Sequence, residues 1–179
     1  DLTFTADLDC TGFTGTVLTV AADGLTIDGA GFKILAPDAA IGINLPAGGN
    51  NQVILRNISI DSKVGIRVTG GGGNVIEGVT AVAPSRGIST VGMQFVGSSG
   101  NHVASSTVSN HVSGLRLDGD SNLNFIQDNS FTGNGVGVLL SGPTDANTIV
   151  GNNLSGNNQA VYGSGITTGL GNRFLDNDM

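Results

Sequence analysis

The chain has 179 residues, 12% of them charged, and a formal net charge of −7. This length predicts a single domain, and the excess of acidic residues excludes nucleic acid as the partner. No apolar stretch approaches the roughly 18 residues that a membrane-spanning helix needs, so we also expect no membrane partner.

Residues 1–40 hold short segments of alternating polarity separated by glycine, among them residues 7–12 (DLDCTG) and 25–34 (LTIDGAGFKI). They predict an N-terminal coil and cap, followed by regular repeats over residues 41–179. Cys10 is the single cysteine of the sequence and therefore cannot form a disulfide within the chain. We interpret it as a small apolar filler.

An eight-residue phrase recurs through the rest of the chain: Asn, any residue, an apolar residue, two variable positions, a turn residue, one variable position and an apolar residue. Its copies begin at Asn51, Asn74, Asn101, Asn124, Asn147 and Asn172. The spacings between copies are 23, 27, 23, 23 and 25 residues. A period in the twenties predicts a solenoid, in which each repeat buries its apolar side against its neighbours.

A second phrase, a small residue followed by apolar, variable and apolar residues, keeps step with the first. Alternation of this kind predicts short β-strands, because successive side chains of a strand point to opposite faces. When such strands stack, their apolar positions predict four buried columns. On the second phrase these are Ile43, Ile66, Met93, Leu115, Val138 and Val161, then Leu45, Val68, Phe95, Leu117 and Leu140. On the Asn phrase they are Val53, Ile76, Val103, Ile126, Ile149 and Phe174, then Ile58, Val108, Phe131, Leu154 and Met179.

The turn position of the Asn phrase carries polar residues in most copies. Its occupants are Arg56, Val79, Ser106, Asn129, Asn152 and Asn177. Asn tolerates the left-handed backbone conformation of tight corners, and its amide can bond to the next coil. The last three copies therefore predict an asparagine ladder.

On these repeats, and on residues 7–12 and 25–34, the sequence resembles the right-handed parallel β-helix repeat family, which is related to pectate lyases and other polysaccharide-acting proteins. The resemblance covers nearly the whole chain. It implies an all-β fold, a right-handed parallel β-helix of about seven coils. It implies a function less sharply, since one fold hosts many unrelated sites.

Charged and polar side chains are expected on the outer face of the second phrase. Arg67, Gln94 and Arg116 fall on three consecutive coils, which places the two arginines about 10 Å apart. The 27-residue period carries its additional length just before Gln94, and a loop there is expected to bring Arg86 to the same place, near Lys63. Guanidinium groups bind carboxylates and sulfates through paired hydrogen bonds. We therefore predict that Arg67, Gln94, Arg116 and Arg86 bind an acidic polysaccharide.

Three interpretations of this surface stay open: solvated side chains paired with Asp118 and Asp120, a binding surface, or a catalytic site. For a lyase, the resemblance implies a base that takes the proton next to a uronate carboxylate, here Arg116 or Lys63, and a neutralising group, here Arg67. For an inverting hydrolase, Asp118 and Asp120 are the candidate pair of carboxyls. The family's clustered carboxylates for calcium are not visible in the sequence, so we predict no metal and no other cofactor.

Two functions of different class follow. The first is a non-catalytic module that binds glycan or serves as a rigid spacer, and we favour it because the chain is short for an enzyme of this family. The second is a carbohydrate-active enzyme, a lyase or glycoside hydrolase that acts on an acidic polysaccharide. The low lysine content and the coils rich in Gly, Asn and Thr favour a bacterial protein that is secreted or located at the cell surface.

The sixth Asn phrase ends at Met179, with no capping segment after it. An open coil exposes apolar side chains and unpaired backbone groups, here on Phe174, Leu175 and Met179. Either the natural chain continues beyond residue 179, which we favour, or two chains associate through their last coils.

Overall fold

The structure is a computed structural model, and it describes residues 1–85, 87, 89–164 and 171–179. These residues form short β-strands and no helix, so none of them belongs to an apolar helix of membrane-spanning length. In chain order the strands are β1 (Leu2–Thr3), β2 (Leu8–Asp9), β3 (Thr16–Thr19), β4 (Thr26–Asp28), β5 (Lys33–Leu35), β6 (Ile41–Leu45), β7 (Ile54–Arg56), β8 (Ser59–Asp61), β9 (Val64–Thr69), β10 (Val75–Glu77), β11 (Thr80–Val82), β12 (Val91–Val96), β13 (His102–Ala104), β14 (Thr107–Ser109), β15 (Ser113–Asp118), β16 (Phe125–Gln127), β17 (Ser130–Thr132), β18 (Val136–Ser141), β19 (Thr148–Val150), β20 (Gln159–Ser164) and β21 (Arg173–Leu175).

The strands stack into three parallel sheets, and each of the first six coils contributes one strand to each sheet in turn. Sheet A contains β1, β4, β7, β10, β13, β16, β19 and β21. Sheet B contains β2, β5, β8, β11, β14 and β17, and sheet C contains β3, β6, β9, β12, β15, β18 and β20. The chain therefore winds through about seven coils, and the prediction of an all-β parallel β-helix is confirmed.

Sheet C follows the predicted register. Phe95 pairs with Val68 on one side and with Leu117 on the other, and Leu117 pairs with Leu140. The column that begins at Ile43 also stacks as predicted. Its members from Ile43 to Val138 are buried, and so is the second column from Leu45 to Leu140. Their aliphatic side chains fill the interior with little aromatic content, as the composition indicated.

The first copy of the repeat begins at Val53, two residues later than the predicted start at Asn51. Ile76 pairs with Leu55, so Leu55 and not Val53 belongs to the buried column of sheet A. In the same way Ile60 replaces Ile58 in the column of sheet B, and Ile58 occupies the corner position that was assigned to Arg56. A shift of two residues keeps every side chain on its own face of a strand, so the alternation pattern fits both registers equally well.

The second phrase begins with glycine because consecutive coils approach each other closely there. A Cβ on Gly114 would lie 2.7 Å from the carbonyl oxygen of Gly137 on the next coil and 3.2 Å from Phe131 Cβ. Gly92 lies against Val108 in the same way. Any larger side chain at these positions would have to separate the coils, which explains the invariant small residue of the phrase.

Asparagine side chains join the coils at the corners, where the side-chain oxygen of one coil accepts a hydrogen bond from the backbone N–H of the coil before it. The predicted ladder between sheets A and B is confirmed, with Ser106, Asn129, Asn152 and Asn177 linked at 2.9–3.0 Å. A longer ladder precedes sheet A and contains Asn74, Asn101, Asn124, Asn147 and Asn172, linked at 2.9–3.1 Å. These amides are largely buried, so each bond satisfies backbone groups that water cannot reach.

The two ends of the stack are less well covered than its middle. At the first coil, Cys10 is half-buried and packs against the core, in agreement with its interpretation as a filler. At the last coil, Phe174 is half-buried, whereas Leu175 is 38% and Met179 66% exposed. Met179 therefore does not complete the buried column that begins at Ile60.

Candidate functional site

The outer face of sheet C brings together the predicted binding residues. Gln94 on β12 pairs with Arg67 on β9 and with Arg116 on β15, so the three side chains stand side by side on successive coils. Asp118 lies two residues beyond Arg116 and points to the same face. We call Arg67, Gln94, Arg116 and Asp118 the charged strip.

Hydrogen bonds connect all four members of the charged strip. Arg67 donates from Nε to Oε1 of Gln94 at 3.0 Å, and Gln94 donates from Nε2 to Oδ2 of Asp118 at 2.7 Å. Arg116 donates from Nε to the other carboxylate oxygen of Asp118 at 2.6 Å. The amide of Gln94 is thus oriented by a donor on one coil and an acceptor on the next.

The two arginines differ in their electrostatic partners. Arg116 forms an ion pair with Asp118, and their side chains are 37% and 15% exposed. Arg67 has no acidic partner among the described residues and bonds only to a neutral amide. A guanidinium group has five N–H donors, so both arginines keep donors for an anion at the surface.

Of the remaining predicted site residues, Lys63 and Asp120 lie outside the charged strip. Lys63 donates from Nζ to the backbone oxygen of Asp38 at 2.9 Å and lines a cavity at the corner between sheets B and C. Asp120 lies in the turn after β15 with a positive φ of 54°, and its backbone bonds to Pro143 and Ser99. Arg86 lies outside the described residues.

His111, one of the two histidines of the sequence, lies in the interior just before β15. The side chain is fully buried, and neither ring nitrogen has a hydrogen-bond partner among the described residues. Burial lowers the pKa of His111 to about 4, an effect that backbone groups of Ala81 and Lys63 oppose. The imidazole therefore stays neutral near pH 7.

A periodic signal could have located His111. Its backbone N–H donates to Oδ1 of Asn134, whose own N–H donates to Oδ1 of Asn157. The three residues are 23 positions apart, which is the commonest spacing of the repeats. His111 thus occupies the first place of a third ladder, between sheets B and C.

The three stacked parallel sheets, with an interior of aliphatic columns and polar outer faces, define the class of right-handed parallel β-helix proteins. Within that class, a family described as "Periplasmic copper-binding protein (NosD)" matches residues 12–178. The chain belongs to the NosD family. A comparison with curated proteins found no match.

Among solved structures, the chain is similar to the catalytic domain of a GH87 α-1,3-glucanase in complex with nigerose. The TM-score is 0.66 and the sequences are 17% identical. The similarity covers 96% of this chain but only 39% of the other. At this identity the match shows a shared fold, and it agrees with the resemblance to polysaccharide-acting β-helix proteins in that respect.

The copper of the family name calls for soft sulfur and imidazole ligands, and the described residues do not group them. Met93 is fully buried in the core of sheet C, His102 lies on sheet A, and His111 lies at the corner before sheet C. No three His, Cys, Asp or Glu side chains come together within the described part of the chain. The residues present there do not fit a copper centre.

Proposed function

We propose that the chain is a non-catalytic β-helix module, located outside the cytoplasm, that binds an acidic polysaccharide along the charged strip. The observation that carries this proposal is the chain of hydrogen bonds that holds Arg67, Gln94 and Arg116 on one face of a rigid sheet. Side chains that are already ordered lose little conformational entropy when a ligand binds.

The geometry of the charged strip suits a linear polyanion. Neighbouring parallel strands are about 4.8 Å apart, so the two guanidinium groups repeat at about 10 Å along the axis of the stack. Guanidinium groups pair with carboxylate or sulfate oxygens through two parallel N–H donors. The strip lies across the coils, so a glycan bound to it would run parallel to the axis of the helix.

The family comparison supports the proposed compartment. The name of the NosD family describes a periplasmic protein, which agrees with a location outside the cytoplasm. The GH87 α-1,3-glucanase, which has a similar fold, was solved in complex with nigerose, so a fold of this kind binds a sugar in that protein.

Calorimetric titration with oligogalacturonate, alginate and heparan sulfate fragments tests the proposal. We expect one of these acidic glycans to bind, with an affinity that falls as the salt concentration rises. Changing Arg67 and Arg116 together to Ala should abolish binding without changing the melting temperature. Arg56→Ala is the matched control, because Arg56 pairs with Asp28 on sheet A through the same Nε geometry at 2.8 Å.

The same samples decide between binding, catalysis and a spacer role. A lyase would form unsaturated products that absorb in the ultraviolet, and a hydrolase would form new reducing ends. We expect neither, because Asp118 already accepts hydrogen bonds from Arg116 and Gln94. Product formation would make the chain an enzyme, and the absence of any glycan binding would favour a spacer.

A further inference from the structure

A cavity of about 390 Å³ opens at the corner between sheets B and C. Three successive coils line it: Pro37 and Asp38 precede β6, Lys63 precedes β9, and Pro84, Ser89 and Thr90 precede β12. Its size lies in the range of about 300–1,000 Å³ that is typical of small-molecule sites.

The longest repeat builds one wall of this cavity. Two residues join β8 to β9, whereas eight residues, from position 83 to position 90, join β11 to β12. Described residues of this longer connection, among them Pro84, Ser89 and Thr90, lie at the cavity. No member of the charged strip is among the described residues that line the cavity.

The charged groups of the cavity keep unused hydrogen-bonding capacity. Lys63 uses one of its three donors on the backbone oxygen of Asp38, and the carboxylate of Asp38 accepts one bond, from the backbone N–H of Gly12 to Oδ2 at 3.2 Å. The Thr90 hydroxyl oxygen accepts from the N–H of Val112 at 3.0 Å, which leaves its proton free to be donated. Among the described residues, one cation, Lys63, and one anion, Asp38, therefore stand at the same opening.

Apolar surface in the cavity comes from the rings of Pro37 and Pro84. Lys63 can donate and Asp38 can accept hydrogen bonds, and both lie beside the apolar proline rings. This combination suits a ligand that carries hydroxyl groups at its edge and presents C–H groups on the face of its ring. Each sugar hydroxyl can both donate and accept, so neighbouring hydroxyls suit Asp38 and Lys63 together. An anion would pair with Lys63 but be repelled by Asp38.

We propose that this cavity binds a single neutral sugar unit, whose hydroxyl groups bond to Asp38 and Lys63 while its ring packs against Pro37 and Pro84. The site is separate from the charged strip and does not depend on the function proposed above. Its ligand is neutral, whereas that of the charged strip is acidic, so the two proposals fail independently.

Titration of the ¹⁵N-labelled chain with glucose, galactose, mannose, xylose and N-acetylglucosamine tests the proposal by nuclear magnetic resonance. We expect at least one sugar to shift the backbone amide signals of Gly87, Ser89 and Thr90. The side-chain amide of Gln94 should not shift, because it belongs to the charged strip. The sugar that binds is then compared with its methyl glycoside, which mimics the terminal unit of a chain. Binding of the glycoside indicates that the cavity accepts a chain end, and its failure to bind indicates a free sugar.

Two variants and one control locate the ligand. Ser89→Trp fills the opening from an exposed position and should abolish the shifts while leaving the melting temperature unchanged. Lys63→Ala should weaken binding about tenfold, as expected for the loss of a hydrogen bond to a charged group. Lys33→Ala removes a surface lysine that pairs with Asp61 and should leave binding unchanged. Shifts that persist in folded Ser89→Trp, or the absence of shifts with all five sugars, would overturn the proposal.

Discussion

Gln94 donates a 2.7 Å hydrogen bond from its side-chain amide to Asp118 on the next coil. The same amide accepts from Arg67 on the coil before, so one glutamine links the unpaired arginine to the acid that neutralises Arg116. Asp118 is thus the acidic member of an otherwise cationic and neutral surface, and it sets how strongly that surface attracts anions.

Changing Asp118 to Asn should strengthen the binding of acidic glycans. Asn keeps the shape of the side chain and its oxygen can still accept from Arg116, but the negative charge is removed. Coulomb's law in water at about 7 Å gives a gain of roughly threefold in affinity, with a steeper dependence on salt. Calorimetric titration at two salt concentrations measures both effects, and a weaker complex at low salt would contradict the electrostatic role of Asp118.

His111 should make the fold sensitive to mild acid. Its pKa in the folded chain is about 4, below the ordinary value of 6.5, because burial disfavours the charged imidazolium. Between these values the unfolded chain binds a proton that the folded chain does not. The stability that neutral His111 provides is therefore present above pH 6.5 and is lost as the pH falls toward 4, by about 3 kcal/mol in total.

Urea unfolding at a series of pH values between 7 and 4 measures this loss. His111→Asn should flatten the dependence, because Asn occupies the equivalent place at Asn134 and does not titrate. His102→Asn is the matched change at the other histidine. In this variant the stability should still fall with pH as in the wild type, because His111 is retained. Hydrogen bonds from backbone N–H groups lower the pKa values of Asp9 and Asp28 below the ordinary value of 3.8, so these groups do not titrate in this window. An unchanged slope in His111→Asn would assign the acid sensitivity to other groups.

Leu117→Asp should abolish cooperative folding. Leu117 is fully buried between Phe95 and Leu140 in the column of sheet C, where a carboxylate would find neither water nor a partner. Leu139→Asp is the matched control, because Leu139 lies on the outer face of the same sheet, beside Arg116. Circular dichroism melts should show a cooperative transition for Leu139→Asp and none for Leu117→Asp.

Asn124→Ala should remove about 3–5 kcal/mol of stability, because several buried bonds are lost at once. The Asn124 oxygen accepts from the backbone and side-chain nitrogens of Asn101 at 2.9 and 2.8 Å, and its Nδ2 donates to Ser98 O at 3.1 Å. Asn158→Ala is the control, because Asn158 is exposed and should change stability by at most about 0.5 kcal/mol. Denaturant unfolding measures the free energy of unfolding of both variants. Equal losses in the two would show that the asparagine ladder does not stabilise the fold.

For the 179-residue chain, the exposed apolar side chains of Leu175 and Met179 predict association at high concentration. Leu175 lies on β21, an edge strand of sheet A, and Met179 follows it. The double variant Leu175→Lys, Met179→Lys should stay monomeric, because charge on an edge strand opposes pairing. Light scattering should then give the mass of one chain. Val82→Lys, at a similarly exposed position on sheet B, should associate as the wild type does. A wild-type mass of one chain at all concentrations would rule out this association.

The repeat pattern is enough to predict the solenoid, because the same constraint acts on every coil. A fixed period places like residues above one another, and alternation of polarity decides which of them face inward. The columns through Phe95 and Leu117, the ladder of Asn129, Asn152 and Asn177, and the alignment of Arg67 with Arg116 all follow from counting residues. No interaction between distant segments is needed to derive them.

Features that depend on register, on side-chain direction or on corners could not be predicted from the repeat and became visible in the folded chain. The alternation pattern could not distinguish Leu55 from Val53, because a shift of two residues preserves the face. The bonds of Gln94 and Asp118 depend on rotamers, which no period encodes. The cavity at Asp38 and Lys63 and the burial of His111 arise where loops of unequal length meet at a corner. Such loops have no repeating partner, so their contacts are set by the packing of three coils and not by the pattern of any one.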